Sequence, residues 1–134
     1  MRSFRLLVGV LLALGACSDA AEAENVHWNQ FRGPNGAGVA AGFKPPLKIV
    51  AGQAAWKTPL PPGKSSPVLW KDRLFLTGVE EGRLTTWALD AKSGKVLWKR
   101  LAPKVPLARV HAANSAAAST PCVDENRVYV YFGS

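Results

Sequence analysis

The sequence is poor in the groups from which reactive sites are assembled. Its 134 residues hold two cysteines and two histidines, and no Ser-His-Asp, paired-carboxylate or metal-spacing constellation stands out. That scarcity argues against a metal centre, which gathers three or four ligands. Carboxylates are also few, nine against 17 Lys and Arg, for a net charge of +8. The cations are scattered through the chain, with no run or stripe of the kind that marks a nucleic-acid surface. No nucleic-acid partner is therefore expected, and a solvated basic surface is the reading adopted. The apolar run from Leu6 to Leu14 is too short to cross a bilayer. What the chain has in quantity is five Trp, ten Pro and twelve Gly at 48% hydrophobic content. That mixture suits one small strand-and-turn domain better than a helical bundle.

Met1 to Ala16 has the parts of an export signal, with Arg2 and Arg5 as the positive start and small residues at the close. Leu14-Gly15-Ala16-Cys17 resembles the lipobox of bacterial lipoproteins. The resemblance implies that Cys17 is diacylated and becomes the mature N-terminus, and Ser18 after it implies release to the outer membrane. The alternative is ordinary cleavage after Ala21-Glu22-Ala23. The lipobox reading is preferred because small residues precede Cys17 at the required place. Either route exports the chain, to the periplasm or to an anchored position on the outer membrane. Without Arg2 and Arg5 the mature charge is nearer +6. Residues 18–26 are small, acidic and without pattern, and read as a flexible tether.

Residues 83–101 predict a hairpin. Arg83 to Leu89 alternates as a strand, with Trp87 and Leu89 on one face and Leu84, Thr86 and Ala88 on the other. Asp90 and Ser93 are suited to bond nearby backbone N–H groups, and Gly94 to supply a positive φ. Lys95 to Leu101 returns as a second strand through Trp98. A lone hairpin buries too little surface to be stable, so Trp98 must pack on something outside it. Ala88, Asp90, Gly94 and Trp98 match the Ala-x-Asp-x-x-x-Gly-x-x-x-Trp docking motif of PQQ-like β-propeller repeats. Such repeats are found in quinoprotein dehydrogenases, and the same motif occurs in non-enzymatic relatives, such as the propeller lipoprotein of the outer-membrane assembly machinery. The resemblance implies an all-β fold, a β-propeller of four-stranded antiparallel blades. It also implies that Trp98 joins one blade to the next, its indole lying over the neighbouring motif's backbone. Trp70, at the end of an inner strand, is expected to be partly exposed. The motif does not choose a function, since such repeats host both catalysts and scaffolds.

The stretch from His27 to Val39 has a different character. Pro34, Asn35 and Gly36 signal a tight turn, and the flanking Trp28 and Phe31 are expected to anchor it on a hydrophobic surface. It closely resembles the Trp-x-Gln-Phe-Arg-Gly-Pro-x-Gly opening of exported bacterial PQQ-like propeller proteins. Arg32 is expected to pin the segment by bonding carbonyls or a carboxylate. No phosphate loop or helix start surrounds it to make it an anion ligand. Phe43 to Lys48 is a proline-stiffened connector.

Trp56-Lys57 recurs as Trp98-Lys99, 42 residues on, within the roughly 40–45-residue period of a four-stranded blade. Trp56 lacks a preceding Asp and Gly, and reads as a strand completing the final blade of a ring. One whole blade spans residues 65–101. Its parts are an inner strand from Ser65 to Trp70, a turn at Lys71-Asp72, a strand from Arg73 to Gly78, a turn at Glu80 to Gly82, and the hairpin. A second blade starts over residues 119–134. Pro67, Arg73 and Phe75 fall on Pro121, Arg127 and Tyr129, all 54 residues on, which places an insertion in Ala102 to Ala118. About one and a third blades are expected within residues 27–134. A closed ring uses about seven or eight, so the chain reads as the N-terminal part of a larger propeller.

Loops between framework strands are where binding is expected. His111 and Asn114 are the candidates, placed at the mouth of a central channel as ligands for a metal or polar group, unless they cap loop backbone. Cys122 is left alone if Cys17 carries lipid, and is expected to act as a small hydrophobe. The chain lacks the adjacent cysteine pair that quinoprotein alcohol dehydrogenases often carry near their cofactor. The expected function is therefore an exported, lipid-anchored, non-catalytic β-propeller scaffold that binds other proteins or envelope components, with no cofactor held by this chain. The alternative is a PQQ-dependent quinoprotein oxidoreductase using PQQ and a divalent cation, its catalytic residues in later blades.

Overall fold

The computed structural model describes residues 27–42, 44 and 46–133. The export signal with Cys17 and the tether over 18–26 lie outside the described residues, as does part of the 43–48 connector.

The alternating sequence between Val68 and Leu101 folds into one antiparallel sheet in chain order. Its strands are β1 (Val68–Trp70), β2 (Arg73–Glu80), β3 (Arg83–Asp90) and β4 (Val96–Leu101). The turn between β2 and β3 is Glu81-Gly82, both left-handed at φ 50 and 72. Two successive residues of that sign match the twist of the strands they join.

One row of side chains crosses all four strands. Val68 pairs Phe75, Phe75 pairs Ala88, and Ala88 pairs Trp98. The first three are 0–4% exposed. Ala88 is small enough for Phe75 and Trp98 to meet across it, ring centroids 5.9 Å apart and tilted by 46°. That is a favourable aromatic geometry, which a longer side chain at position 88 would hold apart.

A smaller sheet of β5 (Cys122–Val123) and β6 (Val128–Tyr129) packs Val123 and Val128 against this row. The pairings Val68–Phe75 and Leu69–Leu74 recur as Cys122–Tyr129 and Val123–Val128, each 54 residues on. The two copies also bond to each other. Ser66 N–H donates to Thr120 Oγ1 at 3.0 Å, and the buried Thr77 hydroxyl donates to the Ser119 carbonyl at 3.1 Å. The fold is all-β. Among the described residues the only helical turns are two short 3-10 segments, Pro34–Gly36 and Ala51–Gln53.

The strand expected around Trp56 does not form. Residues 54–66 contain three prolines that lack an N–H donor, and they follow β2 by other means. Val79 N–H donates to the Pro62 carbonyl at 2.8 Å. The Ser65 hydroxyl both accepts from Thr77 N–H and donates to the Thr77 carbonyl, at 2.9 and 3.2 Å. Gly63 lies so near the Thr77 carbonyl that no side chain fits there.

The opening segment stitches the two copies together. Trp28 exchanges both backbone hydrogen bonds with Leu69, and the Asn29 carbonyl accepts from Val123 N–H at 2.9 Å. Leu69 and Val123 are counterparts in the repeat. The expected turn is present, with Gly36 N–H donating to the Gly33 carbonyl and Asn35 at φ 56 in third position. Three details differ from expectation. Phe31 is 61% exposed, and only Trp28 anchors the turn, its indole lying flat on Gly33. The Arg32 guanidinium lies along Gly38, while it is the Arg32 carbonyl that accepts from Gly38 N–H; the side chain that helps close the turn is Gln30, whose Nε2 donates to the Gly33 carbonyl at 3.1 Å. Cys122 is exposed rather than buried like its counterpart Val68, because among the described residues no third copy covers it.

That difference in cover sets a prediction. Phe75→Ala removes a buried aromatic and should lower stability by about 3–5 kcal/mol. Tyr129→Ala removes its counterpart, which is 48% exposed, and should cost less than about 1 kcal/mol. Urea midpoints of the two variants should differ accordingly, and equal costs would mean that the copies are covered alike.

Candidate functional site

The best-organised polar cluster is the turn between β3 and β4. Asp90 ends β3, and its Oδ1 accepts from Ser93 N–H and the Ser93 hydroxyl, both at 2.7 Å, and from Lys92 N–H at 3.2 Å. Gly94 N–H donates to the Asp90 carbonyl, and Asp90 N–H to the Lys95 carbonyl, each at 2.8 Å. Gly94 sits at φ 71 and is buried. These bonds hold the Asp90 carboxyl below its ordinary value of 3.8, the Ser93 hydroxyl contributing most and the Ser93 and Lys92 N–H groups adding to it.

The Trp56 indole lies flat on this turn. Its six-membered ring covers Gly94 so closely that any side chain there would overlap it. Trp56 Nε1–H donates to the Ala91 carbonyl at 3.0 Å, and the Thr58 hydroxyl to the Gly94 carbonyl at 2.6 Å. Sequence reasoning placed an indole over the motif's backbone but did not identify Trp56 as the residue that supplies it here. The available signal was its 42-residue offset from Trp98, with Thr58 two positions further on. Trp98 itself is half-buried beside Phe75, on the face that meets the second copy. Trp70 is also half-buried, stacked on His27 with centroids 3.8 Å apart and planes 13° apart. That stack had no counterpart in the sequence reading.

The loop candidates are brought near each other by their own backbone. Asn114 N–H donates to the His111 carbonyl at 2.8 Å, His111 Nδ1 accepts from Ala113 N–H at 3.2 Å, and Asn114 Oδ1 accepts from Ser115 N–H at 2.8 Å. Both side chains are exposed and occupied with loop backbone. Among the described residues no group of three or more His, Cys, Asp or Glu is placed to hold a metal ion.

A cleft of about 370 Å³ separates the two sheets, lined by Trp70, Phe75, Trp98, Arg73, Glu125 and Arg127. At its edge, Asp124 repeats the chemistry of Asp90. Its carboxylate accepts from the Tyr129 hydroxyl and from Asn126 and Arg127 N–H, at 2.7, 2.8 and 2.7 Å. The Tyr129 hydroxyl is the largest cause of its lowered pKa. Carboxylates engaged in this way organise turns, and neither is set up as an acid or base near pH 7.

The sign of these shifts gives a pH prediction. A carboxyl whose folded pKa lies below its unfolded one contributes stability above the unfolded value, and loses it as pH falls through the folded value. Stability should therefore decline as pH is lowered below about 3.8. Asp90→Asn with Asp124→Asn should flatten that decline in urea midpoints taken from pH 5 to pH 2, and an unchanged slope would contradict the assignment. Compared with known proteins, the chain has no match to a family model, a curated protein or a solved structure.

Proposed function

We propose that this chain is an exported, lipid-anchored scaffold whose repeats are blades of a PQQ-like β-propeller, and that it binds protein components of the cell envelope without catalysing a reaction. The reading rests on one observation above the others. A tryptophan from outside the four-stranded sheet covers the Asp90–Gly94 turn, at the positions where the sequence resembles the propeller docking motif. The recurrence of strand pairing at a 54-residue offset supports it. Face-to-face stacking of successive copies is how a radial repeat buries its apolar surface. His111 and Asn114 of the insertion are engaged with their own loop, which suits surface recognition better than chemistry. Anchoring is assigned to Cys17 and the membrane is reached through its lipid.

Two measurements test this reading. In a bacterium fed labelled palmitate, the chain should take up label and Cys17→Ser should not. Equal labelling of both, or none in the parent, removes the anchor. Titration of the purified chain with PQQ and calcium should give no saturable complex in the micromolar range. A stoichiometric complex would transfer the reading to a quinoprotein oxidoreductase.

A further inference from the structure

The charge of this chain is distributed in a way that its total conceals. Between Ala91 and Val123 there is no Asp or Glu, while Lys92, Lys95, Lys99, Arg100, Lys104 and Arg109 all fall there. These six cations equal the whole mature excess of +6; Lys92 is paired with Asp72 at 3.1 Å and Lys99 with Glu80 at 2.8 Å, and the other four have no such ion pair among the described residues. Lys99 and Arg100 belong to β4 and Lys95 directly precedes it, and β4 is the outer strand of the sheet, paired with β3 alone.

The free edge of β4 is ready for pairing. Ala102 N–H donates to the Leu84 carbonyl, and antiparallel ladders alternate between bonded and non-bonded pairs. With the register Thr86–Arg100 and Trp87–Lys99, the backbone groups of Arg100 point to β3 and those of Lys99 and Leu101 point outward. The strand is also apolar for an exposed edge, with Leu97 and Leu101 each 45% exposed. Natural edges of this kind are protected against self-association by lysine, and a strand carrying opposite charge is the partner for which that protection turns into attraction.

We propose that the β4 edge is a docking site for an extended acidic segment of a partner protein, which adds to the sheet as a fifth strand. Carboxylates on that segment would meet Lys95 and Arg100, since Lys99 already holds Glu80 at 2.8 Å, while its main chain bonds Lys99 and Leu101. A second copy of this chain fits poorly, because antiparallel β4 edges would bring Lys99 and Arg100 against their own equivalents. The chain's own acidic residues before His27 are Asp19, Glu22 and Glu24. His27 lies beyond β1, at the opposite edge of the sheet. Crossing to the outside of β4 at about 4.8 Å per strand takes more than 20 Å. Glu24 and Glu22, three and five residues from His27, fall short at about 3.5 Å per residue, which leaves Asp19, eight residues away, as the one carboxylate of that segment within reach. The proposal deepens the scaffold reading by naming the partner's chemistry, and depends on it only for the idea that the chain binds proteins.

The test uses the full chain and a short synthetic peptide alternating glutamate with valine. Three reference probes accompany it: the same peptide with alternate valines replaced by proline, its lysine analogue, and vesicles of phosphatidylglycerol. The acidic strand peptide should bind and slow amide exchange at Lys99 and Leu101. The proline-interrupted peptide, of equal charge, should bind at least about tenfold more weakly, and Leu101→Pro should weaken the parent peptide similarly. Proline at that outward-facing position leaves the ladder to β3 intact, and the peptide controls stand even if this variant fails to fold. Equal binding of the proline-interrupted peptide would reduce the site to unspecific charge attraction and overturn the proposal. So would the absence of peptide binding, or stronger binding to vesicles than to the peptide. A gain in peptide affinity on neutralising Asp19, Glu22 and Glu24 together would assign the edge to the chain's own segment instead. None of these failures touches palmitate labelling or the PQQ titration, so the scaffold reading is judged separately.

Discussion

The packing of the Trp56 indole on Gly94 is the contact on which the rest of the arrangement depends. A flat aromatic ring can approach a backbone this closely only where there is no Cβ. Gly94 meets that need and also takes the left-handed φ of 71 that lets β3 turn into β4. Asp90 fixes the same turn from inside by accepting from Ser93 and Lys92. One short loop thus sets the register of the hairpin and seats a residue 38 positions earlier in the chain. From that seat the chain runs past Thr58 and Pro62 along β2, so the proline-rich stretch is held to the sheet despite making no ladder of its own.

The second contact lies between the sheet and the next copy. Phe75, Ala88 and Trp98 form a row whose exposed side is closed by Val123 and Val128 of the next copy. The same contact is not made again at Cys122 and Tyr129, which remain exposed. Burial therefore falls off along the chain in one direction, as expected where each copy is covered by its successor. The segment Trp28-Asn29 ties both copies at equivalent residues, Leu69 and Val123, and adds a connection that stacking alone does not supply.

Much of this was legible in the sequence, for physical reasons. Strand period, the Glu81-Gly82 turn and the Asp90–Gly94 loop are local, and each follows from the conformational needs of a few adjacent residues. The 54-residue offset, read from Pro67, Arg73 and Phe75, survived as strand register. What escaped was non-local. That Trp56 rather than Trp98 covers Gly94 depends on how a strandless segment is routed. The exposure of Phe31 and Cys122 depends on which faces find a partner, and composition carries no information about that. The His111–Asn114 loop could be read either as a ligand pair or as a capped turn until the donors at Ala113 and Ser115 were located. The acid-free stretch from 91 to 123 was visible in the sequence, but it became a feature of one surface only when β4 proved to be the sheet's outer edge.

The most direct test of the central contact is a double-mutant cycle between Trp56 and Gly94, read as unfolding free energy from urea titrations. Gly94→Ala carries a backbone strain of roughly 1 kcal/mol for a left-handed position, and that strain is present whether or not an indole lies above it. The overlap with the ring is present only with Trp56. Gly94→Ala should therefore cost distinctly more in the parent than in a Trp56→Leu background, with a coupling in the range of about 0.5–3 kcal/mol found for residues in contact. Costs that add, with no coupling beyond the error of about 0.3–0.5 kcal/mol seen for independent sites, would mean that Trp56 does not rest on Gly94, and the account built on that contact would fail.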